Sequence, residues 1–484
     1  MSEQNQNRQN KKQRRIILIV IFEILLILVL FYAYRWYVTT RDVDKNSDSG
    51  NRQEQNGDQQ VDNGGDGNKE EDNQTVTQTP EEQEAAREQE RLKQENADRE
   101  ALIAQADQLA LGYDYDGAIG LLQGYQSEQG GYLNFPMLTD AVNRLETEKS
   151  SLVNLGGSYD SVTQINHIFF HTLIVDSAKA FDGDSMAKGY NMYMATIPEF
   201  NKILKKLYKD GYVLVNMSDL TEKVTLEDGT AKYVEKEINL RPGKKPLVIS
   251  QDDVSYYDYM KKDGFANRII LTEDGKITCQ MALDDGSVTT GAFDMVPLID
   301  DFVKEHPDFS YQGAKGLIAL TGYEGILGYR TNDPDSPTYE EDKKVVSKVA
   351  EAMKAEGWEF ASHSWGHKNM QEITLDHLKR DTQRWLDEVA PLIGGTDILV
   401  FPFGVDIETT VGTYSSDKYK YLKSKGFNVF CGVYSKPWMH IKKDYVRMTR
   451  QPIDGQALLE FPKRLEYLFD PKEIIDPDRP GKNW

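Results

Sequence analysis

The stretch EFASHSWGHKNM, Glu359 to Met370, carries two histidines, His363 and His367, in the pattern H-S-W-G-H. By itself an H-x-x-x-H spacing would only set two imidazoles on one face of a helix. Here Ser364 and Gly366 lie between them, and Trp358 to Ser362 just before could end a strand. The pair then stands on a loop or helix start at the carboxyl end of a strand, where α/β barrels carry their chemistry. A second buried-strand pattern, Pro246 to Ser250, leads into Gln251, Asp252 and Asp253. Two imidazoles after one strand and two carboxylates after another suit a His-His-Asp metal site, with the neighbouring aspartate left free as a base. The bland alternative for the aspartates is a solvated loop or a helix cap.

Composition bounds the rest. The 484 residues, 39% hydrophobic and 28% charged, can build a large core and still leave accessory segments. A net charge of -21 argues against nucleic acid as a partner, because phosphate binding needs a basic surface. Two cysteines, Cys279 and Cys431, make no disulfide framework and read as buried thiols. Residues 1–15 hold Arg8, Lys11, Lys12, Arg14 and Arg15 against Glu3, and Ile16 to Tyr34 follow as an apolar run broken by Glu23. That length suits one bilayer crossing, and the charge bias keeps the amino terminus cytoplasmic. A cleaved signal peptide is the competing reading, but no small-residue cleavage site follows the run. Residues 16–38 are therefore expected to form a single-pass plasma-membrane anchor, with the remainder extracytoplasmic. Residues 39–80, rich in Asn, Asp, Gln and Gly, read as a disordered linker.

Residues 81–155 turn helical, with a hairpin-like turn at Tyr113 to Ala118 that is similar to a tetratricopeptide element. No repeat period is sustained, so a stalk packed on the main domain is preferred over a module that docks a protein partner. From residue 156 to 484 strands and helices alternate, which implies an α/β domain with a parallel sheet. Asn166 to His171 reads as its first strand. Thr196 caps a helix that has Pro198 in its first turn and runs to Lys209, stopping at Gly211. Tyr212 to Met217 and Gly313 to Leu320 are further strands, and Glu340 to Glu356 is a helix leading to the histidine strand. Two segments read as inserted β-hairpins, Val224 to Asn239 and Arg268 to Met281, the second expected near the site.

In these motifs the chain resembles the polysaccharide deacetylases of carbohydrate esterase family 4, the NodB-homology domain. Their T-F-D-D motif is similar to Ser250-Gln251-Asp252-Asp253, and their H-[ST]-x-x-H motif is matched by His363 to His367. The resemblance implies a distorted (β/α) barrel holding a divalent metal, Zn2+, on Asp253, His363 and His367. By the same resemblance Asp252 is the general base, and the backbone N–H of Phe403 holds the oxyanion. Later motifs depart from the family. Val400 to Gly404 stands where R-x-P-[YF]-G belongs, with valine in place of the arginine. Val433 to Trp438 keeps a tryptophan but lacks the motif's acids, and Val446 to Arg450 lacks the histidine that supplies the general acid.

His440 is the nearest substitute for that acid. Tyr256, Trp438, Arg447 and Arg450 are candidate substrate contacts: Tyr256, with Tyr257 and Tyr259, for stacking on sugars or for packing, and the arginines for an acidic group on the glycan or for structural ion pairs. The implied function is metal-dependent removal of N-acetyl groups from amino sugars of an extracytoplasmic polysaccharide, peptidoglycan or an exopolysaccharide. The departures leave two alternatives open. One is a barrel that binds glycan or partner proteins without turnover. The other is an O-acetyl esterase, whose leaving group needs less protonation.

Overall fold

The computed structural model describes residues 79–156, 165–229, 231–408, 413–434 and 436–482. The expected anchor (16–38) and all but the end of the expected linker (39–80) lie outside them. Among the described residues no helix is long and apolar enough to cross a membrane.

Three helices open this part: α1 (Pro80–Leu111), α2 (Tyr115–Gln123) and α3 (Pro136–Ser150). Asp114 caps α2 by accepting from Gly117 N–H. The helices share a small core of Ala106, Tyr115, Ala118, Leu122, Leu138 and Leu145. Arg241 ties this unit to the main domain. Its guanidinium donates to the carbonyls of Ala110 (2.7 Å) and Leu111 (3.1 Å) and lies 4.4 Å from the Tyr113 ring centre. Those carbonyls are acceptors that the end of α1 leaves without intrahelical partners.

The main domain is a barrel. Its strands are β1 (Asn166–Phe170), β2 (Tyr212–Leu214), β3 (Lys245–Asp252), β4 (Gly316–Leu320), β5 (Trp358–Ser362), β6 (Ile398–Val400), β7 (Val429–Val433), β8 (Met439–Ile441) and β9 (Val446–Pro452). Seven run parallel in a closed ring, in the order β3-β4-β5-β6-β7-β9-β1 and back to β3. The closing pair sets Leu317 beside Ser250 and Ala319 beside Asp252. β2 adds in parallel to β3 outside the ring, and β8 pairs antiparallel with β9.

Alternation along each strand sorts side chains into two layers. Val248, Leu317, Ala319, Ala361, Val400, Cys431 and Met448 form one cluster, which is the barrel interior. Their neighbours Ile249, Ile318, Leu320, Phe360, Leu399 and Phe430 join the other cluster, with residues of the surrounding helices such as Phe200, Leu204, Val346 and Trp385. The helix α4 (Ile197–Lys209) has the expected Thr196 cap, and Glu199 completes it as a capping box. Both inserted hairpins form, at Thr221–Thr225 with Ala231–Glu235 and at Arg268–Leu271 with Ile277–Ala282. A third strand, Val288–Gly291, which the sequence reading missed, extends the second. Both cysteines are free and buried.

His167 points inward from β1 with its Nε2 2.9 Å from Ser250 Oγ, and its Nδ1 finds no hydrogen-bond partner among the described residues. Burial, helped by the Arg450 charge and opposed by Asp252, holds its pKa well below the ordinary value. The folded state therefore keeps His167 neutral where the unfolded chain takes up a proton, and stability falls as the pH drops below about 6.5. We expect melting curves to show this acid-side loss in the wild type and a shallower loss in His167→Gln. An equal slope in both would assign the effect to other groups.

Candidate active site

A cavity of about 480 Å³ opens at the carboxyl ends of the strands, and every strand of the ring, or the loop that follows it, contributes to its wall. β1 supplies Phe169 and His171, β3 Asp252 and Asp253, and β5 His363 and His367. Tyr323 comes after β4, Phe403 after β6, Val433 ends β7, and Arg450 and Asp454 lie at the end of β9. A cavity of about 470 Å³ at the amino ends is lined by Lys223, Glu359 and Asp397 and has no histidine in its wall.

The aspartate doublet and the two histidines meet, as the spacing anticipated. One ligand atom each from Asp253, His363 and His367 falls within a 4.8 Å cluster. His367 Nε2 lies 3.7 Å from Asp253 Oδ2. His363 Nδ1 donates to the Val400 carbonyl at 2.9 Å, which fixes the tautomer and leaves Nε2 for a ligand. Burial keeps the pKa of His367 below its ordinary value against the pull of Asp253, so the ring is neutral and ready to coordinate. Asp253 Oδ1 is buried without a hydrogen-bond partner among the described residues. An orphaned carboxylate oxygen facing two imidazoles fits a divalent cation.

The backbone is bent to achieve this. Asp253 (φ 56°), Ser364 (φ 61°), His367 (φ 47°) and Phe403 (φ 59°) all occupy the left-handed region. Asp381, on the helix Leu375–Glu388, holds the histidine loop by accepting from the N–H groups of Trp365 (2.9 Å) and Gly366 (2.8 Å). Trp365 Nε1 donates to Glu388 at 2.8 Å. The ring of Phe403 lies 4.5 Å from that of His367, and the residue lines the cavity.

The expectation that the base has lost its arginine is overturned. Arg450 Nη1 and Nη2 donate to Asp252 Oδ1 (2.7 Å) and Oδ2 (2.9 Å), a bidentate pair with side chains 1% and 3% exposed. Burial would raise the Asp252 pKa, but the Arg450 charge, aided by His363, holds it well below the carboxylate range. Arg450 therefore supports Asp252 and is not spare for a glycan anion.

His440, Trp438 and the second hairpin miss the cavity, while Arg447 and Tyr256 take the structural alternatives, ion pair and packing. His440 lies on β8, paired in register with Arg447 and 4.7 Å from the Trp438 ring, and neither His440 nor Trp438 lines the cavity. Arg447 is buried against Asp406 at 2.8 Å and sits over the Tyr414 ring. Tyr256 turns into the core, where its hydroxyl donates to Asp294 at 2.7 Å. No residue of the Arg268–Met281 hairpin lines the cavity. Tyr257 and Tyr259 do line it, stacked with ring centres 5.2 Å apart, and Tyr259 is exposed.

His171 is the residue whose role went unread. It follows β1, is half-buried in the cavity wall, and its Nδ1 lies 3.0 Å from the Tyr193 carbonyl. A carbonyl only accepts, so Nδ1 carries the proton and Nε2 is free to act. Its signal was its place: a histidine directly after a barrel strand, on the end where His363 also stands.

Residues 330–429 match the polysaccharide deacetylase family model, so this stretch of the barrel is of the polysaccharide deacetylase type. The matched stretch contains His363 and His367 and stops short of Arg450. No curated protein sequence matches the chain. Among solved structures, the Streptococcus pyogenes deacetylase PplD shares 13% identity at a TM-score of 0.31, over 61% of this chain and 96% of that one. A Bacillus anthracis CE4 family pseudoenzyme, BA3943, shares 11% at 0.21, over 36% and 55%. The chitin deacetylase of Colletotrichum lindemuthianum shares 9% at 0.21, over 38% and 78%. The assignment rests on the family match and the geometry of the site.

Removing Arg450 would strand a buried carboxylate. Arg450→Met is expected to lower unfolding free energy by about 3–5 kcal/mol in urea titrations, and Asp252→Asn in the same background to restore part of it. Additive losses in the double variant would show that the two groups are not coupled.

Proposed function

We propose that the chain is a metal-dependent deacetylase that removes N-acetyl groups from amino sugars of an extracytoplasmic polysaccharide, peptidoglycan or an exopolysaccharide. The observation that carries this reading is the Asp253–His363–His367 cluster beside an arginine-paired aspartate, in one solvent-open cavity. Asp253, His363 and His367 would hold the metal, and this mixed N/O donor set suits zinc. Zinc bound by three protein ligands polarises an acyl oxygen and makes water acidic near neutral pH.

The chain's own residues supply the rest. Asp252 stays ionised because Arg450 anchors both of its oxygens, and it accepts a proton from the attacking water. The left-handed turn at Phe403 offers a backbone N–H to the negative charge developing on the acyl oxygen. His171, with Nδ1–H tied to the Tyr193 carbonyl, takes up a second proton at Nε2 from solvent and, as the imidazolium, gives that proton to the departing sugar nitrogen, returning to the neutral Nδ1–H form. An amide needs such a donor. With His171 filling that place, the reason for preferring an O-acetyl ester, or a barrel without turnover, falls away. Tyr259 and Tyr193, both exposed at the cavity wall, offer faces for sugar rings. The apolar run of residues 16–38 would tether the enzyme to the plasma membrane, with the barrel on the extracytoplasmic side.

Zinc-loaded protein is expected to release acetate from N-acetylated glycan. His363→Ala should lose the metal by elemental analysis. Asp252→Asn should keep the metal and lose turnover about 10²-fold or more. His171→Gln should lose comparable activity on the amide and much less on an aryl acetate, whose leaving group needs no proton. Bound zinc with no acetate from any acetylated glycan would sink the proposal.

A further inference from the structure

The carbonyl that orients His171 belongs to Tyr193, the last residue of the short helix Ala187–Tyr193. What fixes that carbonyl comes from far along the chain. Arg479 Nη1 donates to Asn191 O (2.9 Å) and Asn191 Oδ1 (3.0 Å), and Nη2 donates to Met194 O (2.8 Å). One guanidinium thus brackets Tyr193 on both sides. Its charge is met by Glu199, through Nε to Oε1 (2.7 Å) and Nη2 to Oε2 (2.6 Å), with both side chains wholly buried.

The knot extends to both neighbouring elements. Glu199 also accepts from the N–H of Asp476 (3.1 Å), and Thr196 Oγ1 donates to Asp476 Oδ2 (2.7 Å). On the other side sits Gly455. A Cβ there would come within 1.8 Å of Asn191 O and 2.4 Å of Arg479 Nη1. The residue before it, Asp454, lines the cavity and caps the helix Gly455–Leu459. The tail segment Ile475–Gly481 therefore locks together the two chain segments that flank His171.

A guanidinium–carboxylate pair buried this fully is a weak source of stability, because desolvation consumes most of its attraction. It does supply fixed geometry. We propose that Arg479 is a positioning residue for the proton donor: by pinning the Tyr193 carbonyl it keeps the resting proton of His171 on Nδ1, so that the second proton, taken up from solvent, sits on Nε2 and is aimed at the leaving nitrogen. This rests on the reading of His171 as that donor.

The test uses the full zinc-loaded chain and N-acetylated peptidoglycan fragments. Arg479→Lys keeps a charge opposite Glu199, but one ammonium cannot reach both carbonyls and both carboxylate oxygens; Arg479→Gln is the second variant. The expected result is a kcat lower by about 10-fold to 100-fold with KM and zinc content little changed. With it, the ¹⁵N spectrum of His171 should change from a single Nδ1–H tautomer to a mixture. Wild-type kcat, or an unaltered His171 spectrum, in a folded variant overturns the proposal. So does failure of both variants to fold, since the tail would then serve stability alone. If His171→Gln itself deacetylates the fragments normally, the donor reading fails instead; if it is inactive while Arg479→Lys is not, only the positioning role fails.

Discussion

A guanidinium buried under a carboxylate at the mouth of a barrel persists only where strand register puts the two groups face to face. Arg450 and Asp252 are that pair, and they sit 198 residues apart in sequence. β9 touches β7 on one side and β1 on the other, and β1 pairs with β3, which ends in Asp252. A slip of one residue in β9 would carry Arg450 to the helix-covered face and leave Asp252 charged and alone. The same inward column holds His167, Ser250 and Phe169, whose ring lies 4.1 Å from the guanidinium. Below them the interior is closed by apolar side chains, so the polar layer is confined to the end that meets solvent. Cys431 belongs to that packed interior, and burial pushes its thiol up to about 12. It is an inert filler.

What could be read from the sequence, and what could not, follows from the range of the signals. The histidine loop and the aspartate doublet are local patterns, each written within a few residues of a recognisable strand, and the structure brings them together. The arginine was sought at Val400, where the family motif has it in chain order. The barrel supplies it from β9 instead, and the Val400 carbonyl serves to orient His363. Ring closure makes the carboxyl ends of distant strands equivalent places, and that equivalence is invisible to a reading along the chain. Tyr256 shows the opposite case, an ambiguity that only the structure resolves, in favour of packing. It lies close to the doublet in sequence, yet a left-handed turn (φ 49°) sends it into the core toward Asp294.

The ligand loops hold a conformation they would not choose. Left-handed backbone at a residue with a side chain costs about 1–2 kcal/mol, and Asp253, His367 and Phe403 each adopt it. Such strain survives only where neighbours over-determine the geometry. For the histidine loop they do: Asp381 takes two backbone N–H groups, Glu388 takes the Trp365 indole, and Gly322 has no Cβ because one would lie 2.3 Å from the Trp365 ring. The donors are therefore presented by stiff connections rather than gathered by a ligand. A preorganised set loses little on binding a cation, which is what three donors with an open fourth position require.

Charge counting explains why the arginine had to be kept somewhere. Beside the ligand cluster Asp252 and Asp253 bring two negative charges that neutral imidazoles do not offset, while burial raises the pKa of Asp454, the third carboxyl on the cavity wall. Arg450 cancels one, so the site carries a residual charge of about −1 and favours a cation. With a divalent ion in place the same groups sum to about +1, the sign needed where an acyl oxygen becomes negative. Had the arginine been lost outright, the loaded site would be near neutral and Asp252 would be driven toward its protonated form. Moving the guanidinium from one strand end to another preserves both the ionised Asp252 and the net charge, because a barrel mouth sums its charges without regard to which strand delivers them.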